Sequence, residues 1–358
     1  MDETELIAVT KQLVQFRTTQ DRIGEIKACL SFIKDYFSGT KVKVKENEWG
    51  NQPSLYLSFD GRKRQRILFN GHVDVVDGFE TQFTPYEEDG KLYGRGAYDM
   101  KASVATALVL LKRLAQKRTP PRVAVMVVSD EEVGGFLGTR MYVRRGYGAD
   151  IVIAGEPTKM QIETRHKGVL FVKVTAYGSS AHSSRPWLGT NAIDKLIAQY
   201  ARLRAVMPKA TKSQKWNASV NPTTFMSAGP MNVTPSKAEM ILDIRTNEEW
   251  PPKRVKALLK ELRMKYKVIA EGSMLTNKKA GNTLIKSLRS IAESELGRHV
   301  KFIKSAGGSD MRFFSEKGVT AVNFSPLGGN HHKHNEYVCI ESLGQYYRIL
   351  EKFVDRCS

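Results

Sequence analysis

What most constrains this chain is where its apolar runs stop. Arg66-Ile67-Leu68-Phe69 leads into Asn70-Gly71-His72-Val73-Asp74. The β-branched run Arg122 to Val128 leads into Ser129-Asp130-Glu131-Glu132, and Ile151-Val152-Ile153-Ala154 leads into Gly155-Glu156-Pro157. Short runs of this kind, bounded by turn residues, read as buried strands. In open α/β sheets, sites form outside the carboxyl ends of the strands. His72, Asp74, Glu131, Glu132 and Glu156 are therefore expected to converge on one crevice. The stretch Gly94 to Lys101 follows a turn at Glu88-Asp89-Gly90 and opens an apolar-periodic segment, which sets Asp99 beside that crevice. Unpaired backbone N–H groups at such a position welcome an anion, so Asp99 read alone is also a plain helix N-cap. A late cluster, His331, His332 and His334 before Asn335-Glu336, can supply one more imidazole.

The first half of the chain alternates strands with helices. Glu3 to Arg17, Glu25 to Phe37, Ala102 to Leu114 and Thr139 to Arg145 have helical apolar periods, and Pro120-Pro121 breaks the passage into the second core strand. That alternation argues for a layered α/β domain. The pattern changes after Lys167-Gly168. Val169 to Tyr177 alternates as a strand, Asn191 to Val206 is helical, Pro222 to Ala228 is extended, and Ala238 to Arg245 alternates. A helix then starts at Pro251-Pro252, and Tyr266 to Ala270 is a last strand. The order βαββαβ is the ferredoxin-like split unit. From about Thr276 the chain returns to the first domain, with helices at Thr283 to Leu296, Ser309 to Glu316 and Glu341 to Val354, and a strand at Val319 to Phe324. The expected organisation is a catalytic domain of residues 1–167 and 276–358, interrupted by a lid domain of residues 168–275.

At 358 residues the chain can bury ample core without staples, and two domains are expected. Cys29, Cys339 and Cys357 are too few and too scattered for a disulfide framework or a CxxC zinc site, which points to a reducing compartment. Met1 to Glu5 lacks the basic-then-apolar layout of a signal peptide. Apolar runs such as Val104 to Leu111 fall far short of the ~20 residues that a membrane span needs. The expected address is the cytoplasm, with no membrane partner. A net charge of +19 raises nucleic-acid binding as a class. The 56 Lys and Arg are spread along the chain, with only modest runs at Arg62-Lys63-Arg64 and Lys253-Arg254, and no nucleic-acid-binding motif is present. A solvated basic surface that attracts anionic substrates is expected, and no nucleic-acid partner.

Five motifs in order carry a resemblance. They are Gly-His72-Val-Asp74-Val-Val, Gly-Arg-Gly-Ala-Tyr-Asp99-Met-Lys, Asp-Glu131-Glu132-Val-Gly-Gly, Gly-Glu156-Pro-Thr and His332-Lys-His-Asn-Glu336. Over essentially its whole length the chain resembles the co-catalytic zinc amidohydrolases and metallopeptidases that include succinyl-diaminopimelate desuccinylase, acetylornithine deacetylase, aminoacylase and carboxypeptidase G. The resemblance implies a zinc-peptidase-like catalytic domain with a mixed sheet, and an inserted ferredoxin-like α+β lid and dimerisation domain. It implies two Zn2+ per chain, with Co2+ or Mn2+ as substitutes. Asp99 would bridge the metals, His72 and Glu156 would complete one site, and Glu132 and His332 the other. Counting back from Asn335-Glu336 selects His332, with His331 and His334 as alternatives. Asp74, otherwise a turn-forming residue, would hold the His72 imidazole tautomer. Adjacent side chains on extended backbone point to opposite faces, so one carboxylate of the Glu131-Glu132 pair can bind metal while the other faces substrate. By resemblance Glu131 is the general base; the plain alternative is a solvated acidic turn.

The lid would supply the rest. His182, in Ser180 to Pro186, resembles the family histidine that stabilises the tetrahedral oxyanion. Asn232, in Asn232-Val-Thr-Pro235, and Arg245, in Asp243-Ile-Arg245, resemble substrate-contacting positions; Arg245 can grip a carboxylate bidentately or serve a structural ion pair. Gly308, in the run Ser305 to Arg312, resembles a pocket-lining position, and Met311 stands where small residues are common. The implied function is a two-metal amidohydrolase acting on an N-acyl amino acid or short peptide, of the deacetylase or desuccinylase type. A metallo-dipeptidase or carboxypeptidase with the same site is the alternative, and a non-catalytic basic binding protein a remote one. The implied assembly is a homodimer in which His182 of one chain serves the metals of the other.

Overall fold

The computed structural model describes residues 3–277 and 282–357. Met1 and Asp2, part of the stretch read above for a leader, lie outside the described residues. The chain divides into two compact units: Met1–Arg165 with Thr276–Ile303 and Ser309–Ser358, and His166–Leu275 with Lys304–Gly308.

The first unit is built on a mixed sheet. Its centre is four parallel strands in the spatial order Val123–Val128, Arg64–His72, Gly148–Ala154 and Thr320–Asn323. Gln52–Ser58 and Lys43–Trp49 extend it antiparallel on one side, and Ile162–His166 pairs antiparallel with Thr320–Asn323 on the other. Val123–Val128 is buried at every residue, as expected of a parallel strand covered on both faces. The helix Ala102–Leu114 buries all but Lys112 and Arg113, so it is apolar nearly all round and packs as a central element against Glu3–Gln15, Ile340–Cys357 and the core strands. The carboxyl ends of the parallel strands point their loops to one edge, as the sequence requires.

A small second sheet, Gly328–Gly329, Tyr337–Cys339, Lys91–Tyr93 and Tyr86–Glu88, has strands too short for apolar periodicity to announce. Its pairing of Tyr337 with Tyr93 draws the late histidine segment against the Gly94–Lys101 stretch.

The second unit is a four-stranded antiparallel sheet in the order Ser219–Ser227, Lys237–Thr246, Gly168–Tyr177 and Lys265–Gly272. The helices Ala192–Val206 and Pro252–Glu261 bury one face of it. Strict alternation along Gly168–Tyr177 and Lys237–Thr246 puts Leu170, Val172, Val174, Met240, Leu242 and Ile244 into that core. This is the ferredoxin-like arrangement. Ser219–Ser227 begins before the expected start at Pro222, because Pro222 sits at a register shift of an edge strand, where its missing N–H is tolerated.

Candidate active site

His72 ends its strand and is 1% exposed. Its Nδ1 lies 2.9 Å from the backbone carbonyl of Asp74, which keeps a proton on Nδ1 and makes Nε2 the atom that would meet a metal. The Asp74 carboxylate stands behind that carbonyl, its Oδ1 3.5 Å from Nδ1. Its Oδ2 accepts from the backbone N–H of Glu132 at 3.0 Å and from Gln20 Nε2 at 3.1 Å. Asp74 thus ties the strand-end loop to the acidic turn.

Asp99 is not a helix N-cap. It lies in an irregular turn, Ala97–Lys101, before the helix proper, with non-helical backbone angles (φ −120°, ψ 88°). Its N–H and that of Tyr98 both donate to Glu336 Oε1, at 3.0 and 3.1 Å. Arg95 Nη1 holds the other Glu336 oxygen at 3.0 Å. With its backbone clamped, Asp99 presents Oδ1 to His72 Nε2 at 3.4 Å and Oδ2 to His332 Nε2 at 3.3 Å. Each carboxylate oxygen faces a different imidazole.

The remaining acids close on these rings. Glu156 Oε1 is 3.9 Å from His72 Nε2, and Glu132 Oε1 is 3.1 Å from His332 Nε2. Gly155 lets Glu156 come this close, since a Cβ there would lie 2.0 Å from Ser103 Cβ. Of the three late histidines the structure brings His332 to the carboxylates. His331 packs edge-on against Tyr98 and His332, and His334 stacks on Phe79. His332 adopts left-handed backbone (φ 62°), a conformation costing an L-residue roughly 1–2 kcal/mol, the kind of strain that gathers at functional sites.

Glu131 and Glu132 do not stand on extended backbone. They form one turn of 3₁₀ helix, Glu131–Val133, so the premise of opposite strand faces fails. At three residues per turn, neighbouring side chains diverge by about 120°, which still separates the two carboxylates.

The donor set fits a pair of divalent cations. His72, Asp99 and Glu156 offer ligand atoms within 4.8 Å of one another, as do Asp99, Glu132 and His332, with Asp99 common to both groups. His72 Nε2 and Asp99 Oδ1 are buried without a hydrogen-bond partner, facing each other. Imidazole and carboxylate together suit a borderline cation. Burial opposes the His72 imidazolium, but the Asp74 and Asp99 carboxylates outweigh it and raise the ring well above its ordinary value. Asp99 and Glu132 push His332 up to about 10. Asp99 is held far below the usual carboxylate range, because His332 and His72 outweigh its burial. A cation entering either group must therefore displace a ring proton. Burial, then the neighbouring Asp310, raises Glu131 well above the carboxylate range.

The second unit holds the other expected residues. The loop around His182 is laced to the 230–234 turn: Ser183 N–H donates to the Asn232 carbonyl at 2.8 Å, and Thr234 N–H to that of Ala181 at 2.8 Å. His182 is exposed, and its Nδ1 accepts from the Ser184 backbone N–H at 3.2 Å. The Ser184 hydroxyl lies closer still, 2.8 Å from Nδ1. Arg245 is not brought to this loop. It pairs with Val169 at the start of Gly168–Tyr177, whereas His182 follows the other end of that ten-residue strand. Both Nε and Nη2 of Arg245 grip the Asp243 carboxylate, at 2.9 and 3.0 Å. Gly308 is exposed, in the segment Lys304–Gly308 that belongs to the second unit. Met311 is fully buried as the first residue of its helix.

Sequence reading passed over several groups. Glu336 stood in a quoted motif without a role, and its buried partner Arg95 stood in another. Asp310, buried beside the acidic turn, and Asp130, which accepts from the N–H groups of Leu137 and Gly138, were not singled out. The sign available was their acidity inside otherwise apolar or glycine-rich segments.

A sequence model of the family described as peptidase family M20/M25/M40 matches residues 68–356. Among curated relatives, the chain is similar to succinyl-diaminopimelate desuccinylase of Delftia acidovorans, at 29% identity over 80% of this chain and 81% of the relative. It is also similar to the enzyme of that name from Rickettsia bellii, at 28% identity over 96% and 94%. Among solved structures, an M20 family metallo-carboxypeptidase from Sulfolobus solfataricus superposes with a TM-score of 0.81 at 20% identity, covering 99% of each chain. A tripeptidase from Staphylococcus aureus superposes with a TM-score of 0.80 at 19% identity, covering 100% of this chain and 99% of the other.

Proposed function

The chain belongs to peptidase family M20/M25/M40, and from that premise we propose that it hydrolyses the amide bond of an N-acyl amino acid at a two-metal centre. The observation that carries this reading is Asp99, whose two oxygens face two separate histidines, each backed by one further glutamate. The deacylase direction is supported by the curated relatives, which are named succinyl-diaminopimelate desuccinylase. We assign His72, Asp99 and Glu156 to one metal and Asp99, Glu132 and His332 to the other, with zinc as the metal.

Bound there, two divalent cations would lower the pKa of water and polarise the scissile carbonyl. Glu131 takes the proton of the attacking water and passes it to the amine nitrogen as the C–N bond breaks. Its raised pKa favours that return of the proton. Arg95 and Glu336 fix the Asp99 backbone, so the bridging carboxylate is aimed before substrate arrives.

The test is a release assay of the zinc-loaded protein on N-acetyl and N-succinyl amino acids and on dipeptides. Release from the N-acyl amino acids at least tenfold faster than from dipeptides is expected. The reverse order would make the chain a dipeptidase or carboxypeptidase; the similar folds include a tripeptidase and a metallo-carboxypeptidase.

His182 is the oxyanion donor in this scheme, supplied by the second chain of a homodimer. Its exposure, with Nδ1 engaged by Ser184, suits the role. The edge strand Ser219–Ser227 exposes Phe225 and Met226, and the neighbouring helix exposes Ile197 and Val206, an apolar edge of the kind that a two-fold partner covers. His182→Ala should lower kcat by about 100- to 1000-fold with little change in KM. Mixing inactive His182→Ala with inactive Glu131→Gln protein should restore part of the activity, because some mixed dimers keep one intact composite site. No recovery after verified subunit exchange refutes donation across the dimer. Three free cysteines favour a cytoplasmic address.

A further inference from the structure

Beside His332 lies a pocket of about 390 Å³, within the size range of small-ligand sites. It is lined by Phe79, Gln82, Arg95, His332, Lys333 and His334, with Asp77-Gly78 at its edge. Phe79 is 64% exposed and stacks on His334, ring centres 4.7 Å apart, giving one flat apolar wall. Gln82 fixes the walls to each other: its Nε2 donates to the carbonyls of Lys333 and His334 at 3.0 Å, and its Oε1 accepts from Phe79 N–H at 3.0 Å.

The charges in this pocket are not balanced. The Asp77 carboxylate is spent on Arg17 at 3.0 Å, and the Arg95 end group on Glu336. The Lys333 ammonium is exposed, and no carboxylate of the described residues lies within ion-pair distance of it. Arg95 is 4% exposed, and among the described residues its Nε–H has no acceptor. Gly78 packs over that N–H, since a Cβ there would lie 3.1 Å from Nε and 2.7 Å from Gln82 Oε1, so the charge left free to meet a ligand is that of Lys333. An unpaired ammonium and a flat ring wall, both beside a candidate metal ligand, describe a seat for an anionic end on a short carbon stem.

We propose that this pocket receives a carboxylate of the substrate, with the Lys333 ammonium as its charge partner and the Phe79–His334 stack against its methylene stem. The proposal rests on the amidohydrolase reading above. It makes Lys333 a specificity-determining residue, one that sets affinity without taking part in bond breaking. The carboxylate can come from the far end of a dicarboxylic acyl group or from the amino-acid half.

Four substrates separate these sources: the N-acetyl and N-succinyl derivatives of one amino acid, each with a free α-carboxylate or its α-carboxamide. They are assayed with wild type, Lys333→Ala and Lys333→Arg, each checked for full metal content. Lys333→Ala should raise KM about tenfold for substrates carrying the recognised carboxylate, leave their kcat nearly unchanged, and move the others less than twofold. Lys333→Arg should stay within about threefold of wild type, because the charge is kept. A loss confined to succinyl substrates places the acyl carboxylate in the pocket, and a loss confined to free acids places the α-carboxylate there. Equal losses on all four, or none, overturn the proposal. If wild type cleaves none of the four, the amidohydrolase reading fails, and calorimetry with metal-loaded Glu131→Gln protein reads the pocket by itself. Succinate should then bind about tenfold more tightly than acetate, and Lys333→Ala should abolish the difference; equal binding of the two acids to wild-type Lys333 protein overturns the pocket as well.

Discussion

Glu131→Gln protein is expected to hold two metal ions per chain and to turn over substrate about 100- to 10,000-fold more slowly than wild type. Glutamine keeps the size of the side chain and cannot take a proton. Both candidate metal groups are complete without Glu131. The 3₁₀ turn directs its carboxylate about 120° away from that of Glu132, so the substitution leaves the Glu132–His332 contact in place. Replacing Glu131 also removes one member of a crowded group of acids that includes Asp310 and Glu156, so the fold should tolerate it. Metal analysis beside steady-state kinetics checks the result. Loss of one ion with activity retained would exchange the roles of Glu131 and Glu132.

Asp99→Ala should lose both metals and all measurable activity, whereas His332→Ala should weaken chiefly one site. Asp99 is the one residue common to both donor groups. Its removal leaves His72 and Glu156 as one pair, and Glu132 and His332 as another, each short of the three protein ligands typical of catalytic zinc. The fold around it should survive, since the contact holding this turn runs from backbone N–H to Glu336 and does not use the lost side chain. Without metal, the pairing of His332 with Asp99 and Glu132 adds stability below the ring's ordinary pKa of 6.5, and loses it as pH rises through about 10. Metal-free Asp99→Ala should therefore melt below metal-free wild type at neutral pH, the gap closing toward pH 10. One metal retained at full occupancy in Asp99→Ala would contradict a bridging role.

Much of the arrangement was legible because it is local. A strand followed by a loop carries its terminal residue to the sheet edge, so His72, Glu132 and Glu156 could be placed from short runs alone. The ferredoxin-like unit was legible because alternation along Val169 to Tyr177 and Ala238 to Arg245 has an unmistakable period. What could not be read depends on partners far apart in sequence or on a single torsion. Arg95 and Glu336 are 241 positions apart, and they meet through strands of two or three residues that leave no periodic trace. The contact of the Asp74 carbonyl with the His72 ring follows from the course of the main chain after His72, which residue types do not specify. The Arg245–Asp243 pair is a different case. Residues i and i+2 share a face of a strand, so their ion pair was open to the same reasoning that placed Met240, Leu242 and Ile244.

The most direct test of the account is to titrate the metal-free protein with zinc while following amide hydrolysis of an N-acyl amino acid. The account predicts no turnover without metal, binding that saturates at two ions per chain, and full activity only when both have bound. Undiminished hydrolysis by verified metal-free protein, or saturation of both binding and rate at one ion per chain, would contradict it.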